Sequence, residues 1–163
     1  MSHYLANVRD LRFNLFEVFG RQQLLGQPPY ADFDQATAES MLAELERVAT
    51  EVLASSFADS QHAGVVFDRD THSVTLPQSF KDTYAKYIAG EWWRLDITEG
   101  LGGTPAPPSL RWALAELVLG ASPASFIYAA GWMHAHILYE LGNEQQRRIA
   151  QLMTDGPGAR RWC

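Results

Sequence analysis

Residues 100–142 read GLGGTPAPPSLRWALAELVLGASPASFIYAAGWMHAHILYELG, and their punctuation separates one loop from two apolar runs. The first nine positions, GLGGTPAPP, hold three glycines and three prolines, too many breakers for regular structure. Helices with apolar faces flank them closely, so this is a shaped loop and not a domain linker. Pro108 suits the first turn of a helix carrying Leu110, Trp112, Leu114, Leu117, Val118 and Leu119, with Gly120 as its expected end. Ser122-Pro123 repeats the cap and first-turn signature. The run from Ala124 to Leu141 is then apolar on nearly every face before Gly142 stops it. A helix of that kind is expected at the centre of a bundle, with five or six others around it.

Upstream the same helical period recurs. Leu11, Leu15, Phe16 and Phe19 are spaced at three and four, which predicts a short amphipathic helix ended by Gly20. Pro28-Pro29 then interrupts the pattern. Asp32 is the expected N-cap, with Gln35 at capping-box spacing, of a long helix reaching about Phe57. Met41, Leu45, Val48 and Val52 mark one line on it, with Leu42, Ala49 and Leu53 beside them. Val65–Phe67 and His72–Leu76 change to a strand period around the polar turn 68–71, predicting one small hairpin. Pro77 and Ser79 open a further helix through Phe80, Tyr84, Tyr87 and Ile88 to Gly90. Downstream, Asn143 and Gln146 form a cap pair for a last helix with Ile149, Leu152 and Met153 on one side. The fold class is therefore all-α, a helical bundle with one small β-hairpin.

Composition narrows the function classes. Hydrophobic residues make up 47% and charged residues 20% of the 163 positions, as in a globular domain. The formal net charge of −6 repels a phosphate backbone, so nucleic acid is not an expected partner. The single cysteine, Cys163, allows no internal disulfide and no cysteine-based metal site, which fits a reducing, cytoplasmic setting. Neither a signal sequence nor a membrane span is expected.

Few residues suggest chemistry on their own. His134 and His136 lie two apart on a helix and point in different directions, which disfavours a shared metal. His62 and His72 lack a third ligand. Gly100, Gly102 and Gly103 do not follow a strand, so the context of a dinucleotide loop is missing. Glu91, Asp96 and Glu99 gather near Trp92 and Trp93; a solvated acidic loop is the plain reading, and acid–base work would need burial to raise one of them. Ala124, Ser125, Ala129, Ala130 and Gly131 are small residues that permit either close helix packing or a ligand.

The order of four strings carries more. NVRDLRFNLFEVFG (7–20), VVFDRDTHSVTLPQSFK (65–81), LGGTPAPPSLRWALAELVLGASPASFIYA (101–129) and LGNEQQRRIAQLM (141–153) together resemble the N-terminal helical domain of acyl-CoA dehydrogenases, in particular the larger bacterial type with an N-terminal extension. The resemblance covers about Asn7 to Ala159. It implies a helical domain packed on a middle β-domain and a C-terminal helical domain, with FAD between them. In that family a glutamate removes the α-proton of an acyl-CoA thioester, the β-hydride passes to the flavin, and an electron-transfer flavoprotein accepts the electrons. Positions matching Ser125, Phe126, Ala129 and Met133 would form a wall of the acyl pocket; no catalytic, cofactor-binding or metal residue is carried over.

The resemblance divides the chain into an extension with one short helix (1–31), the helical domain (32–156) and an aberrant tail (157–163). Family members continue with a segment like Ala-Thr-Met-Val-Leu-Thr-Glu-Pro, whereas this chain reads Gly158-Ala159-Arg160-Arg161-Trp162-Cys163. The DNA string GCGACGATGGTGCTGACC encodes Ala-Thr-Met-Val-Leu-Thr and, one base later, Arg-Arg-Trp-Cys followed by a stop, so a frameshift is the expected origin of the tail. The expectation is an N-terminal fragment that takes part in fatty-acid metabolism by descent, is inactive alone, does not retain FAD and self-associates. The alternative is a non-catalytic helical module that binds a partner or an acyl chain.

Overall fold

The structure is a computed structural model and describes residues 3–154. The tail at 157–163 lies outside the described residues. Among the described residues, eight α-helices and one hairpin follow in order: α1 (Val8–Arg12), α2 (Gln35–Arg47), α3 (Phe57–Ala63), β1 (Val66–Asp68), β2 (Ser73–Thr75), α4 (Gln78–Ala89), α5 (Pro108–Ala121), α6 (Pro123–Tyr128), α7 (Gly131–Leu141) and α8 (Glu144–Thr154). All-α with one two-stranded sheet is what the periodicities predict.

The first helix continues past Arg12 as a widened π turn over Phe13–Val18 and stops at Gly20, whose φ of 55° is left-handed. Val8 and Leu15 are its buried residues, and Arg12 pairs with Glu39 of α2 at 2.9 Å. The second run is nearly unbroken from Gln35 to Ala63, through a widened turn at Val48–Leu53 and a tight one at Ala54–Ser56. It outlasts the predicted end at Phe57 and finishes at Gly64 (φ 63°). Its cap is Asp34, not Asp32: the Asp34 carboxylate accepts from the Thr37 N–H at 2.6 Å. The shift has a packing cause, because Phe33 is 3% exposed and must enter the core before the helix begins. Gln35 instead donates to Glu39. The dominant buried line is Ala38, Leu42, Leu45, Ala49 and Leu53, while Met41 and Val48 are only partly buried against it.

Two expectations about the apolar runs need correction. Helix α5 passes through Gly120 to Ala121. A Cβ at Gly120 would overlap the Tyr4 ring, so this glycine gives clearance for the N-terminal segment and does not end the helix. The stretch 124–141 is not one central helix. It breaks at Ala129–Ala130, where the Ala130 N–H reaches back only three residues to the Ile127 carbonyl, and α7 starts afresh at Gly131. Ile127, Ile137 and Leu141 are exposed, the last to 84%. Apolarity on every face calls for burial; the described residues supply it on one side only. The centre of the body belongs to α2 and α5.

Two cores result. The larger unites Leu42, Leu45, Leu53, Leu110, Leu114, Leu117 and Val118 from the α2–α3 run and α5. The smaller contains Ile97, Leu101, Trp132, Ala135 and Ala150, with α7 and α8 folded back on each other over the 97–101 segment. Ile88 and Ala129 touch both. On α8 the buried position is Ala150; Ile149 and Leu152 of the predicted stripe face outward, and only Met153 packs inward. The reciprocal cap that starts α8 is as predicted: the Asn143 N–H donates to Gln146 Oε1 at 2.8 Å and the Gln146 N–H to Asn143 Oδ1 at 3.0 Å.

Candidate functional site

The small-residue helix α6 lies between α5 and the start of α7, and its cap sets its direction. The Ser125 N–H donates to Ser122 Oγ at 3.4 Å, and the two serine hydroxyls share a hydrogen bond at 2.9 Å. Ser125 is fully buried, so its hydroxyl is already committed inside the protein. Phe126 packs on the larger core, with its ring 6.5 Å from Trp112 on α5. Ala129 sits at the junction of both cores, and Met133 is half-buried one turn into α7. Of the four residues singled out by resemblance, Ser125 is buried, Phe126 and Ala129 pack on the cores, and Met133 is half-buried and belongs to neither core.

Recesses beside α6 are lined by other residues. Ala124 and Tyr128, one turn apart, face a recess of about 250 Å³ bounded by Ser60, Gln61, Val65, Leu76, Pro77 and Phe80. A smaller one of about 120 Å³ lies between Ser56, Phe57, Phe80 and Ser122. Phe80, Tyr84 and Tyr128 form an aromatic triad at this edge, with centroids 5.2 to 6.0 Å apart. Below it the Ser56 and Thr83 hydroxyls, both buried, are joined at 2.8 Å. Ala124 is one of the small residues the sequence marks as leaving room for a ligand; Tyr128 was missed, although its spacing of four from Ala124, matched by Phe80 and Tyr84, places each pair on one helix face.

The acidic group does not act as a unit. Glu91 is exposed and holds Arg94 through two contacts of 2.9 and 3.2 Å, and Glu99 is exposed. Asp96 differs: a quarter of its side chain is exposed and Arg111 Nε stands 3.4 Å from it. Burial raises its carboxyl above the ordinary carboxylate value, against the opposing pull of Arg111 and His136. Tyr87, buried nearby, is pushed up by burial and further by Asp96. His134 is exposed with Nδ1 against the Ala130 carbonyl, and His62 makes the same local contact with Ala58. Among the described residues no group of three His, Cys, Asp or Glu is placed to hold a metal ion.

The glycine-rich loop, which lacks the sequence context of a dinucleotide loop, is a closed turn in the structure. Its donors are spent internally: the Leu101 and Gly103 N–H groups reach the Thr98 carbonyl, Gly102 reaches Glu99, Thr104 reaches Arg94, and Ala106 reaches Leu95. Arg94 Nη1 closes it further by donating to the Gly102 carbonyl at 2.6 Å. A pyrophosphate needs free N–H groups, and this loop offers none among them. The described residues of the loop therefore do not fit the diphosphate of FAD. No helix among the described residues is long and apolar enough to cross a membrane.

The fold is an all-α helical bundle with one two-stranded hairpin and shallow recesses beside α6. No protein-family model matches the chain. It is 46% identical over 155 residues to the broad-specificity linear acyl-CoA dehydrogenase FadE5 of Mycobacterium tuberculosis. That alignment takes in 95% of this chain and 25% of the relative, so the chain spans a quarter of the length of the protein it matches. The chain is related to the acyl-CoA dehydrogenase family over nearly all of its own length.

Proposed function

We propose that this chain serves as the N-terminal helical part of a flavin-dependent acyl-CoA dehydrogenase, in which α6 and the start of α7 form one side of the acyl pocket. The identity to FadE5 is the observation that carries this reading. Ser125, Phe126, Ala129 and Met133 would present that side, with Ser125 setting the helix direction through Ser122. The exposed apolar residues Ile127, Ile137 and Leu141 fit a domain that meets further protein surface. In the whole enzyme FAD would take up the hydride and an electron-transfer flavoprotein the electrons. The N–H groups of Leu101, Gly102, Gly103, Thr104 and Ala106 in the glycine-rich loop are engaged internally, which supports the reading that this polypeptide alone does not retain FAD and is inactive. A cytoplasmic location follows from the same reading.

The test supplies the purified chain with FAD, acyl-CoA of several chain lengths and an artificial electron acceptor. No turnover above a flavin-only blank and no co-purifying flavin absorbance are expected; turnover or a yellow protein would overturn the assignment of inactivity. A second reading, a non-catalytic module that binds an acyl chain or partner, draws on the recess beside Ala124 and Tyr128. Saturable binding of an acyl chain by the isolated chain would favour it.

A further inference from the structure

The two recesses beside α6 adjoin. Ser60, Gln61, Phe80 and Ala124 line both of them, so together they form one groove between α3 and α6, with the buried ring of Phe80 from α4 beneath it. The wider part, about 250 Å³, reaches the base of the hairpin at Val65 and Pro77. The narrower part, about 120 Å³, reaches Ser56 and Ser122. Ala124 and Tyr128 lie on a different side of α6 from Ser125 and Ala129, which separates this groove from the acyl-pocket wall proposed above.

The lining carries no charge. In a chain with 20% charged residues, no Asp, Glu, Lys, Arg or His borders either recess. Its serine hydroxyls are committed within the protein: Ser56 shares a hydrogen bond with Thr83 at 2.8 Å, Ser60 with Ser79 at 3.3 Å and Ser122 with Ser125 at 2.9 Å. Such walls give a charged occupant no counter-ion and favour an apolar body. The remaining side-chain polar groups of the lining are the Gln61 amide and the Tyr128 hydroxyl, and both border the wider part. Width then decides the shape of the occupant. A benzene ring takes a cavity of about 150 Å³, so the narrower part, about 120 Å³, admits a straight chain and not a ring.

We propose that this groove binds a straight aliphatic chain with an uncharged polar end, the chain running over Phe80 toward Ser122 and the polar end resting at Gln61 and Tyr128. The proposal rests on the second reading above and deepens it, naming the site and the charge of the ligand. Gly64, with open space where a Cβ would stand, keeps the hairpin end of the groove clear. The Phe80 ring is held by Tyr84 at 5.8 Å and Tyr128 at 5.2 Å between centroids, so the groove is formed before a ligand arrives.

An NMR titration of the full chain with n-octanol tests this, with octanoate as the charged control and cyclohexanol as the ring-shaped one. Octanol shifts the backbone amides of 60–64 and 124–128 saturably, and both controls bind more weakly. Ala124→Leu fills the groove from an exposed position and weakens octanol binding by about tenfold, the worth of about two displaced methylenes. Saturable shifts confined to 129–133, or octanol binding that survives Ala124→Leu unchanged, overturn the groove and leave the second reading standing. The absence of any saturable shift overturns the groove and removes the acyl-chain form of that reading with it. Tighter binding of octanoate or cyclohexanol than of octanol overturns the chemistry assigned to the ligand. Should Ala124→Leu fail to fold, the wild-type shift map decides by itself.

Discussion

Gly103 and Ile97 approach so closely that a Cβ built at 103 overlaps the Ile97 carbonyl oxygen and stands 2.6 Å from its carbonyl carbon. The contact is to backbone, which cannot swing away as a side-chain tip can. It pins the glycine-rich loop against the segment that carries Ile97, a fully buried member of the smaller core. Gly103→Ala should therefore destabilise the protein by about 1–3 kcal/mol, the usual range for forcing atoms into a packed site. Urea unfolding checks it; a midpoint equal to wild type would show that the loop is free to move.

Large-to-small substitutions should separate the buried line of α2 from the outward residues of α8. Leu42→Ala removes a side chain with no exposed surface and is expected to cost about 2–5 kcal/mol. Leu152 is 69% exposed, so Leu152→Ala should change stability by less than about 0.5 kcal/mol. A large loss at Leu152 in the isolated chain would mean that α8 packs through the stripe the sequence suggests.

The cap of α2 gives a pH-dependent prediction. Hydrogen bonds from Thr37 hold the Asp34 carboxyl below its ordinary value. Its stabilising effect is present above the unfolded-state value and is lost as pH falls through the depressed folded value. Asp34→Ala should lower the urea midpoint at neutral pH and have no effect once the carboxyl is protonated, while Asp32→Ala changes little at either pH. Equal sensitivity at both aspartates would place the cap where the sequence expected it.

The hairpin supplies a test of self-association. Phe67 and Val74 are cross-strand partners, and Val65, Val66, Phe67 and Val74 are all exposed. A two-stranded ribbon with apolar side chains in water is a poor stand-alone structure. Replacing Val66 and Phe67 by serine should reduce the apparent mass in light scattering relative to wild type. A monomeric wild-type chain, or a mass unchanged by the double substitution, would remove the hairpin from any association surface.

The sequence by itself determined the helical class, the hairpin, the Asn143–Gln146 cap and the breaks at Gly20 and Gly90, because each is encoded within a few residues by side-chain period, capping chemistry or backbone freedom. The order of its strings also carried the family resemblance. Three-dimensional packing alone decided which faces those helices use. Phe33 had to be buried before Asp34 could be seen as the cap, Tyr4 had to lie across α5 before Gly120 could be understood as clearance, and the outward course of Ile149 and Leu152 depended on how α8 folds against α7. The same holds for Asp96: in the chain it is one of three neighbouring acids, and only the convergence of α4, α5 and α7 distinguishes it from Glu91 and Glu99. Local signals specify a helix; its rotation about its axis and the burial of a charge depend on partners distant in sequence.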